Sequence, residues 1–280
     1  MRIGTHVSIA GGLWNAPGNA AKVKAEVFQI FSRSPHGGPV KEITPEIQKQ
    51  FKAEMDKHGL DTFYIHTPYF INFSSAKNNI YYGSISVVRQ ELERGSLLGA
   101  RAIMTHLGSF GDYSEQEGLE RVALGIEKVM NGYKGKTQLL LEISAGAGKI
   151  VGDTFEELAE ILDNKKLKKY DIGICLDTCH MFASGYDLTD KKSIDDTLKK
   201  FDKLIGFEKL VMVHANDSKA GLGGHLDRHE HIGEGKIGLE GFKLLAKHKV
   251  FGKLDWILET PKDDPTWDPK NIATLDKLRE

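Results

Sequence analysis

Six short apolar runs in this chain end on a side chain of the kind that binds metals. They read FYIH (His66), IMTH (His106), LLLE (Glu142), ICLD (Asp177), VMVH (His214) and WILE (Glu259). A short apolar run bounded by turn residues is the pattern of a strand buried on both faces. Such a strand gains nothing from an ionisable end unless several ends converge, because gathering unpaired charges away from water is costly. Eight parallel strands closed into a barrel bring their C-terminal ends together on one face, where barrel enzymes keep their active sites. The pattern therefore predicts an α/β fold, a (β/α)8 TIM barrel, with a polynuclear metal site at the strand ends and hydrolytic or isomerising chemistry.

Two further runs, RIGTHVS and VFQIFS, bring the strand count to eight. The strands then lie around Ile3, Phe28, Tyr64, Ile103, Leu140, Cys175, Val213 and Ile257. Between them the apolar period becomes helical. In TPEIQKQFKAEMDKHG, Thr44 is placed to cap, Pro45 takes the first helical position and Gly59 the stop, while Ile47, Phe51 and Met55 form one stripe. Further helices are expected over 84–100, 115–133, 153–164 (opening on Asp153), 192–206, 239–249 and 271–280. With no low-complexity segment and no Pro-, Gly- or Ser-rich linker, the 280 residues read as one domain, 1–280.

Hydrophobic content of 40% and charged content of 28% are those of a soluble globular protein. The formal net charge of -1 excludes attraction of a polyanion by the whole molecule. A nucleic-acid partner would need a local basic face or the charge of bound metal. The two cysteines, Cys175 and Cys179, would stand ~13 Å apart along an extended strand, too far for a disulfide. A reducing, cytoplasmic location and a monomer are expected. No apolar leader opens the chain and no run is long enough to span a bilayer, so no membrane partner is expected.

Three more candidate ligands follow the strand ends. His180 stands three residues beyond Asp177 in LDTCH. Asp227 and His229 sit on one side of an extended segment in DRH, a two-ligand clip for a borderline metal. The clip lies in a long glycine-rich connection, ANDSKAGLGGHLDRHEHIGEGKIG, of a length that is usually functional and is expected here to be ordered by the ion it binds. Nine candidates result, five imidazoles and four carboxylates, a donor set that favours zinc or manganese. They exceed what one catalytic zinc needs and suit two or three ions sharing a carboxylate. His6 is placed to orient a ligand rather than to be one, and His225 and His231 to flank the clip. Gly11 and Gly12 permit either a close backbone approach to a ligand or a simple turn.

Taken in order, GTHVSIAGGL, HTPYFIN, HLGSF, LLLEISAGAG, CLDTCHMFASGYD, VHANDSK, DRHEHIGEG and ILETP resemble endonuclease IV, the zinc-dependent apurinic/apyrimidinic endonuclease family, over nearly the whole chain. The resemblance implies three zinc ions, with manganese an alternative at one or more sites. His66, His106 and Glu142 would hold the first. Glu142 would bridge to the second, joined by Asp177, His214 and Glu259, and His180, Asp227 and His229 would hold the third. It further implies hydrolysis of the phosphodiester 5′ to an abasic site in double-stranded DNA, leaving a 3′-hydroxyl and a 5′-deoxyribose phosphate. Glu142 and Glu259 would be the catalytic carboxylates that orient water. Tyr69 and Phe70 fall on the family's lesion-wedge positions, and Arg33 and Arg228 are loop cations available to DNA. Departures from the family pattern are Ile143-Ser144 for Asn-Thr, Leu107 and Phe110 for Pro and His, and a loop SRSPHGGPV without the usual Arg and Trp, where His36 lies near the Arg position. They spare the metal ligands and bear on the grip on DNA. Two other readings share the residues: a metal-dependent sugar isomerase or epimerase, in which the third ligand set has no role, and a barrel that senses lesions without cutting.

Overall fold

In a computed structural model, which describes residues 1–280, eight parallel strands close into a barrel. They are β1 (Arg2–His6), β2 (Val27–Phe31), β3 (Phe63–His66), β4 (Ala102–Thr105), β5 (Gln138–Glu142), β6 (Ile172–Asp177), β7 (Leu210–His214) and β10 (Asp255–Leu258). Closure runs through β1 and β10, with Ile3 beside Trp256 and Thr5 beside Leu258. All eight expected strand centres fall inside these strands.

The period of two along each strand decides what faces the barrel axis. Val27, Tyr64, Met104, Leu140, Cys175, Met212 and Ile257 pack together as an interior layer. The residue two positions further along each of these strands is polar: Gln29, His66, His106, Glu142, Asp177, His214 and Glu259. An apolar plug thus sits directly beneath a ring of metal-type side chains. Residues of opposite parity, such as Leu139 and Leu141, join the larger core between strands and helices.

The outer helices are α1 (Asn15–Lys22), α2 (Pro45–Lys57), α3 (Asn78–Leu98), α4 (Glu115–Met130), α5 (Phe155–Asp163), α6 (Thr178–Ala183), α7 (Lys191–Leu204), α8 (Gly238–Lys247) and α9 (Trp267–Arg279). Thr44 caps α2 through Oγ1, 3.4 Å from the Ile47 amide. Phe51 and Met55 are buried beneath that helix; truncating Phe51 to alanine would cost about 3–5 kcal/mol.

Several boundaries differ from expectation. The short α1 follows the turn at Gly11 and Gly12, one of the two readings those glycines allowed; its Pro17 lies in the first turn, where the missing N–H costs nothing. α3 starts at Asn78 rather than Ser84, and α9 at Trp267 rather than Asn271. α5 is capped by Thr154, whose hydroxyl accepts from the Glu157 amide, not by Asp153. The long connection after β7 contains an antiparallel ribbon, β8 (Asp217–Ser218) with β9 (His229–Glu230). Cys175 and Cys179 are buried and free, Cys179 on α6 rather than on an extended strand. No helix is long and apolar enough to cross a membrane.

Candidate metal centre

Nine side chains meet over the C-terminal end of the barrel in three sets. Donor atoms of His66, His106 and Glu142 lie within 4.8 Å of one another, as do those of Glu142, Asp177, His214 and Glu259, and those of His180, Asp227 and His229. Glu142 belongs to two sets. Rigid strand ends supply His66, Glu142, Asp177 and His214, and the turns just beyond β4 and β10 supply His106 and Glu259. The third set is built differently. Asp177 Oδ1 accepts from the His180 amide at 3.0 Å and caps α6, so the same carboxylate that enters the second set delivers His180 to the third. Asp227 comes from the β8–β9 connection and His229 from the start of β9.

The hydrogen-bond pattern fixes which nitrogen of each ring faces the centre. His66 Nδ1 donates to the Thr67 carbonyl at 2.7 Å, His180 Nδ1 to that of Ile143 at 2.9 Å, and His229 Nδ1 to that of Glu259 at 3.0 Å. A carbonyl only accepts, so these nitrogens carry the hydrogen and each Nε2 faces the centre, a lone pair whenever the ring is neutral. His214 is held the other way. Its Nε2 donates to Gln29 Oε1 at 2.8 Å, because Gln29 Nε2 donates to Glu259 Oε1 at 2.6 Å and so orients the amide. His214 Nδ1 is left facing Glu142 Oε1 at 2.8 Å and Glu259 Oε2 at 3.4 Å. The inward imidazole nitrogens therefore face carboxylate oxygens, which only accept, so a proton or a metal ion must lie between them. His106 Nδ1 is buried with no hydrogen-bond partner. Such a cluster is stable only with cations among its atoms, and its imidazole and carboxylate donors suit zinc or manganese. The residues fit the ions.

Without a metal, protons take the place of the cations. Burial pushes the Glu142 carboxyl up, but the imidazoles of His106, His214 and His66 outweigh it and hold it well below the ordinary range. Glu259 behaves alike under His214, His6 and His66. Burial lowers His180, yet Asp177 and Asp227 bring it up to about 10, and His214 is raised well above the ordinary value against the same burial. Two thiols also approach the ligands. Burial pushes Cys175 up to about 12 and raises Cys179 as well, so both stay protonated beside better donors.

Three orienting residues escaped the sequence reading. Gln29 is one. Asn216 is another: its Nδ2 donates to Asp177 Oδ2 at 2.7 Å and its Oδ1 accepts from the Glu259 amide at 2.8 Å. Thr178 Oγ1 accepts from the Asn216 amide at 2.9 Å and donates to the Asn216 carbonyl at 2.7 Å. Partners of this kind set the tautomer and angle of a ligand. A polar residue on the inward parity of VFQIF was the available signal for Gln29. His6 is an orienting neighbour, its Nδ1 3.0 Å from Gln29 Nε2. His225 is exposed, and His231 stacks on Trp267 at 3.8 Å; both stand outside the three sets. Gly11 and Gly12 form a turn before α1, with the Asn15 amide donating to the Gly12 carbonyl.

Above the ligands opens a cavity of about 1170 Å³, lined on its floor by His66, His106, His180, His229 and Glu259. Tyr69 stands on its rim, 62% exposed; its neighbour Phe70 is 43% exposed and lies outside the cavity lining. The Tyr69 ring packs edge-on against Phe31 at 5.2 Å and tilts against His36 at 5.8 Å. Arg33 is not the free loop cation expected from its position. Its Nε donates to Glu91 Oε1 at 2.5 Å and its Nη2 to Gln90 Oε1 at 2.9 Å, which ties the β2–α2 loop to α3. Arg228 is exposed, with Nη1 donating to the Asp227 carbonyl at 2.7 Å. Of the residues that depart from the family pattern, Leu107, Phe110 and Ile143 are buried, and Ser144 lines the cavity.

A family model described as a xylose isomerase-like TIM barrel matches residues 18–280. The chain is 39% identical over 262 residues to a protein of Halothermothrix orenii named "Probable endonuclease 4", covering 94% of each chain. It is 40% identical over 277 residues to a protein of the same name from Methanoculleus marisnigri, covering 99% of this chain and 98% of the relative. Among solved structures, endonuclease IV from Thermus thermophilus superposes with a TM-score of 0.88 at 33% identity, covering 99% of this chain and 98% of the other. A D-tagatose 3-epimerase-like protein, 20% identical with a TM-score of 0.71, shares the fold.

Proposed function

Because this chain belongs to the endonuclease IV family of xylose isomerase-like TIM barrels, we propose that it hydrolyses the phosphodiester on the 5′ side of an abasic site in double-stranded DNA, leaving a 3′-hydroxyl and a 5′-deoxyribose phosphate. The observation that carries this reading is the division of nine donors into three sets sharing Glu142 beneath one open cavity. His66, His106 and Glu142 would hold one zinc ion, Glu142, Asp177, His214 and Glu259 a second, and His180, Asp227 and His229 a third. Zinc, when bound, supplies Lewis acidity toward water and toward the oxygens of the reacting phosphate.

The chain's own residues do the rest. Glu142 is ionised and pinned between His66 Nε2 at 3.0 Å and His214 Nδ1 at 2.8 Å, which suits a carboxylate shared between two sites. Glu259 is fixed through Oε1 by Gln29, leaving Oε2 toward the centre to orient a water. Tyr69 is exposed aromatic surface at the rim, and Phe70 beside it is exposed as well. Inserting them opens a base step at a cost of a few kcal/mol, least where a base is already missing. With a formal net charge of -1, attraction to the backbone is local: Arg228 and the bound ions carry it, while Arg33 acts by holding its loop. The His180, Asp227 and His229 set and the absence of a lysine at any strand end weigh against sugar isomerisation.

The test is an incubation with a duplex bearing one tetrahydrofuran abasic analogue, beside the intact duplex and a ketohexose. Nicking of the abasic strand alone supports the proposal. Sugar turnover without nicking overturns it.

A further inference from the structure

Asp217 is not one of the nine metal-type ligands, yet it is fully buried. Every hydrogen bond its carboxylate accepts comes from a main-chain N–H. Oδ1 accepts from Ser218 at 2.8 Å and Ile237 at 2.9 Å; Oδ2 accepts from Gly233 at 3.0 Å, Gly235 at 3.1 Å and Gly238 at 3.2 Å. Five donors leave both oxygens as acceptors, the state of an ionised carboxylate in an amide nest. Two of these amides open α8, so the charge also faces the positive end of a ten-residue helix. Glycine is required at 235 by this close approach: a Cβ there would stand 2.4 Å from Asp217 Oδ1 and 2.6 Å from the Ser218 carbonyl.

The same two residues, Asp217 and Ser218, form β8, and Ser218 pairs with His229. The Lys219 amide donates to the Arg228 carbonyl at 2.9 Å, and the Lys236 amide to the Ser218 carbonyl at 2.8 Å. One carboxylate thus ties β8, which pairs with the strand that carries His229, to the turn 233–238 and the start of α8. These contacts are internal to the protein and complete without any ion.

We propose that Asp217 is the positioning residue of the third metal set, fastening the main chain of His229, and with it Asp227, before an ion binds. This rests on the reading of His180, Asp227 and His229 as an ion site. It also narrows the expectation that the metal orders the connection: even the tip is tied down without an ion, the Gly223 and His225 amides donating to the Phe182 and Ala183 carbonyls at 3.0 Å.

The experiment uses two variants, Asp217→Asn and Gly235→Ala. The first turns an acceptor into a donor among donors; the second pushes a methyl group into the nest with Asp217 intact. Amide hydrogen exchange is read on zinc-stripped protein, and zinc content after dialysis on loaded protein. In stripped wild type the amides of 229–238 should be protected. In both variants they should exchange at least about tenfold faster, with α4 and α5 unchanged. Each variant should lose one ion of the wild-type complement on dialysis, and excess zinc should restore it. Wild-type exchange over 229–238 together with a wild-type zinc content would overturn the proposal. So would faster exchange throughout the barrel with loss of all ions, which would make Asp217 a general stability residue. The exchange arm needs neither zinc nor activity. A wild type that holds fewer than three ions, or cuts no abasic DNA, would sink the functional reading and leave the exchange result standing.

Discussion

His180 and His229 point their Nε2 atoms at one another across 3.4 Å, and each ring donates its other nitrogen to a main-chain carbonyl. Two lone pairs at that distance repel unless a cation lies between them, and Asp227 Oδ1, 3.2 Å from His180 Nε2 and 3.3 Å from His229 Nε2, completes a tripod. The tripod does not include Glu142 among its donors, although His180 Nδ1 lies 3.7 Å from Glu142 Oε1 and His229 Nε2 3.6 Å from Asp177 Oδ2, so its ion should be separable. Replacing Asp227 and His229 together by alanine should remove one zinc of three, slow cleavage by about 10²–10³-fold and lower the melting temperature by only a few degrees, since the barrel core is untouched. Elemental analysis and a melting curve on the double variant decide it. Loss of all three ions together would contradict a separable third set.

Gln29 holds His214 in its tautomer and Glu259 in its orientation with the two ends of one amide. Gln29→Leu keeps the volume but leaves His214 Nε2 and Glu259 Oε1 without their partner. Zinc affinity or cleavage rate should fall about 10- to 100-fold. Competition with a chromophoric chelator reads the affinity directly. A variant with wild-type affinity and rate would reduce Gln29 to packing.

Tyr69 is exposed and rests on Phe31 with one edge only. Stacking of an aromatic ring on a base contributes about 1–3 kcal/mol. Tyr69→Ala should therefore weaken binding to an abasic duplex by about 10- to 100-fold while changing binding to intact duplex less than about threefold. Equal losses on the two duplexes would return Tyr69 to an ordinary packing role.

Glu157 on α5 is buried, and burial pushes its carboxyl up to about 7, against the Gly152 amide that donates to it at 2.6 Å. The folded protein therefore keeps a proton here that the unfolded chain gives up near pH 4.3. The associated stability is complete below that pH and is lost as pH rises through about 7. Glu157→Gln has no proton to lose. Its melting temperature relative to wild type should rise between pH 5.5 and pH 8.5, by several degrees for a difference of about 1–3 kcal/mol. A pH-independent difference would contradict the assignment.

The barrel and its ligand ring were legible because strand ends carry their chemistry locally: an apolar run followed by His66, Glu142 or His214 needs no tertiary information. What escaped was set by partners far along the chain. Arg33 reads as a free loop cation until Glu91, 58 residues away, takes its guanidinium. Gln29 is one polar residue on an apolar strand, and its role appears only when β2 stands across the barrel from His214, 185 residues on. The connection after β7 looked like a loop waiting for metal because no periodicity marks a two-residue ribbon, and the five amides that Asp217 gathers are main-chain groups invisible to a side-chain pattern. Boundaries slipped where local signals competed, as at Asp153 beside Thr154.

Three metal sets on one barrel face are proposed to cut DNA beside a missing base. The most direct measurement takes zinc-stripped protein, restores zinc stepwise, and maps the ends produced from a duplex with one abasic analogue. The account requires no nicking before zinc returns. It requires activity that reaches its maximum near three equivalents, and a single cut 5′ to the lesion leaving a 3′-hydroxyl that a DNA polymerase extends. Undiminished nicking by the stripped protein, a cut on the 3′ side, or full activity at one equivalent would contradict it.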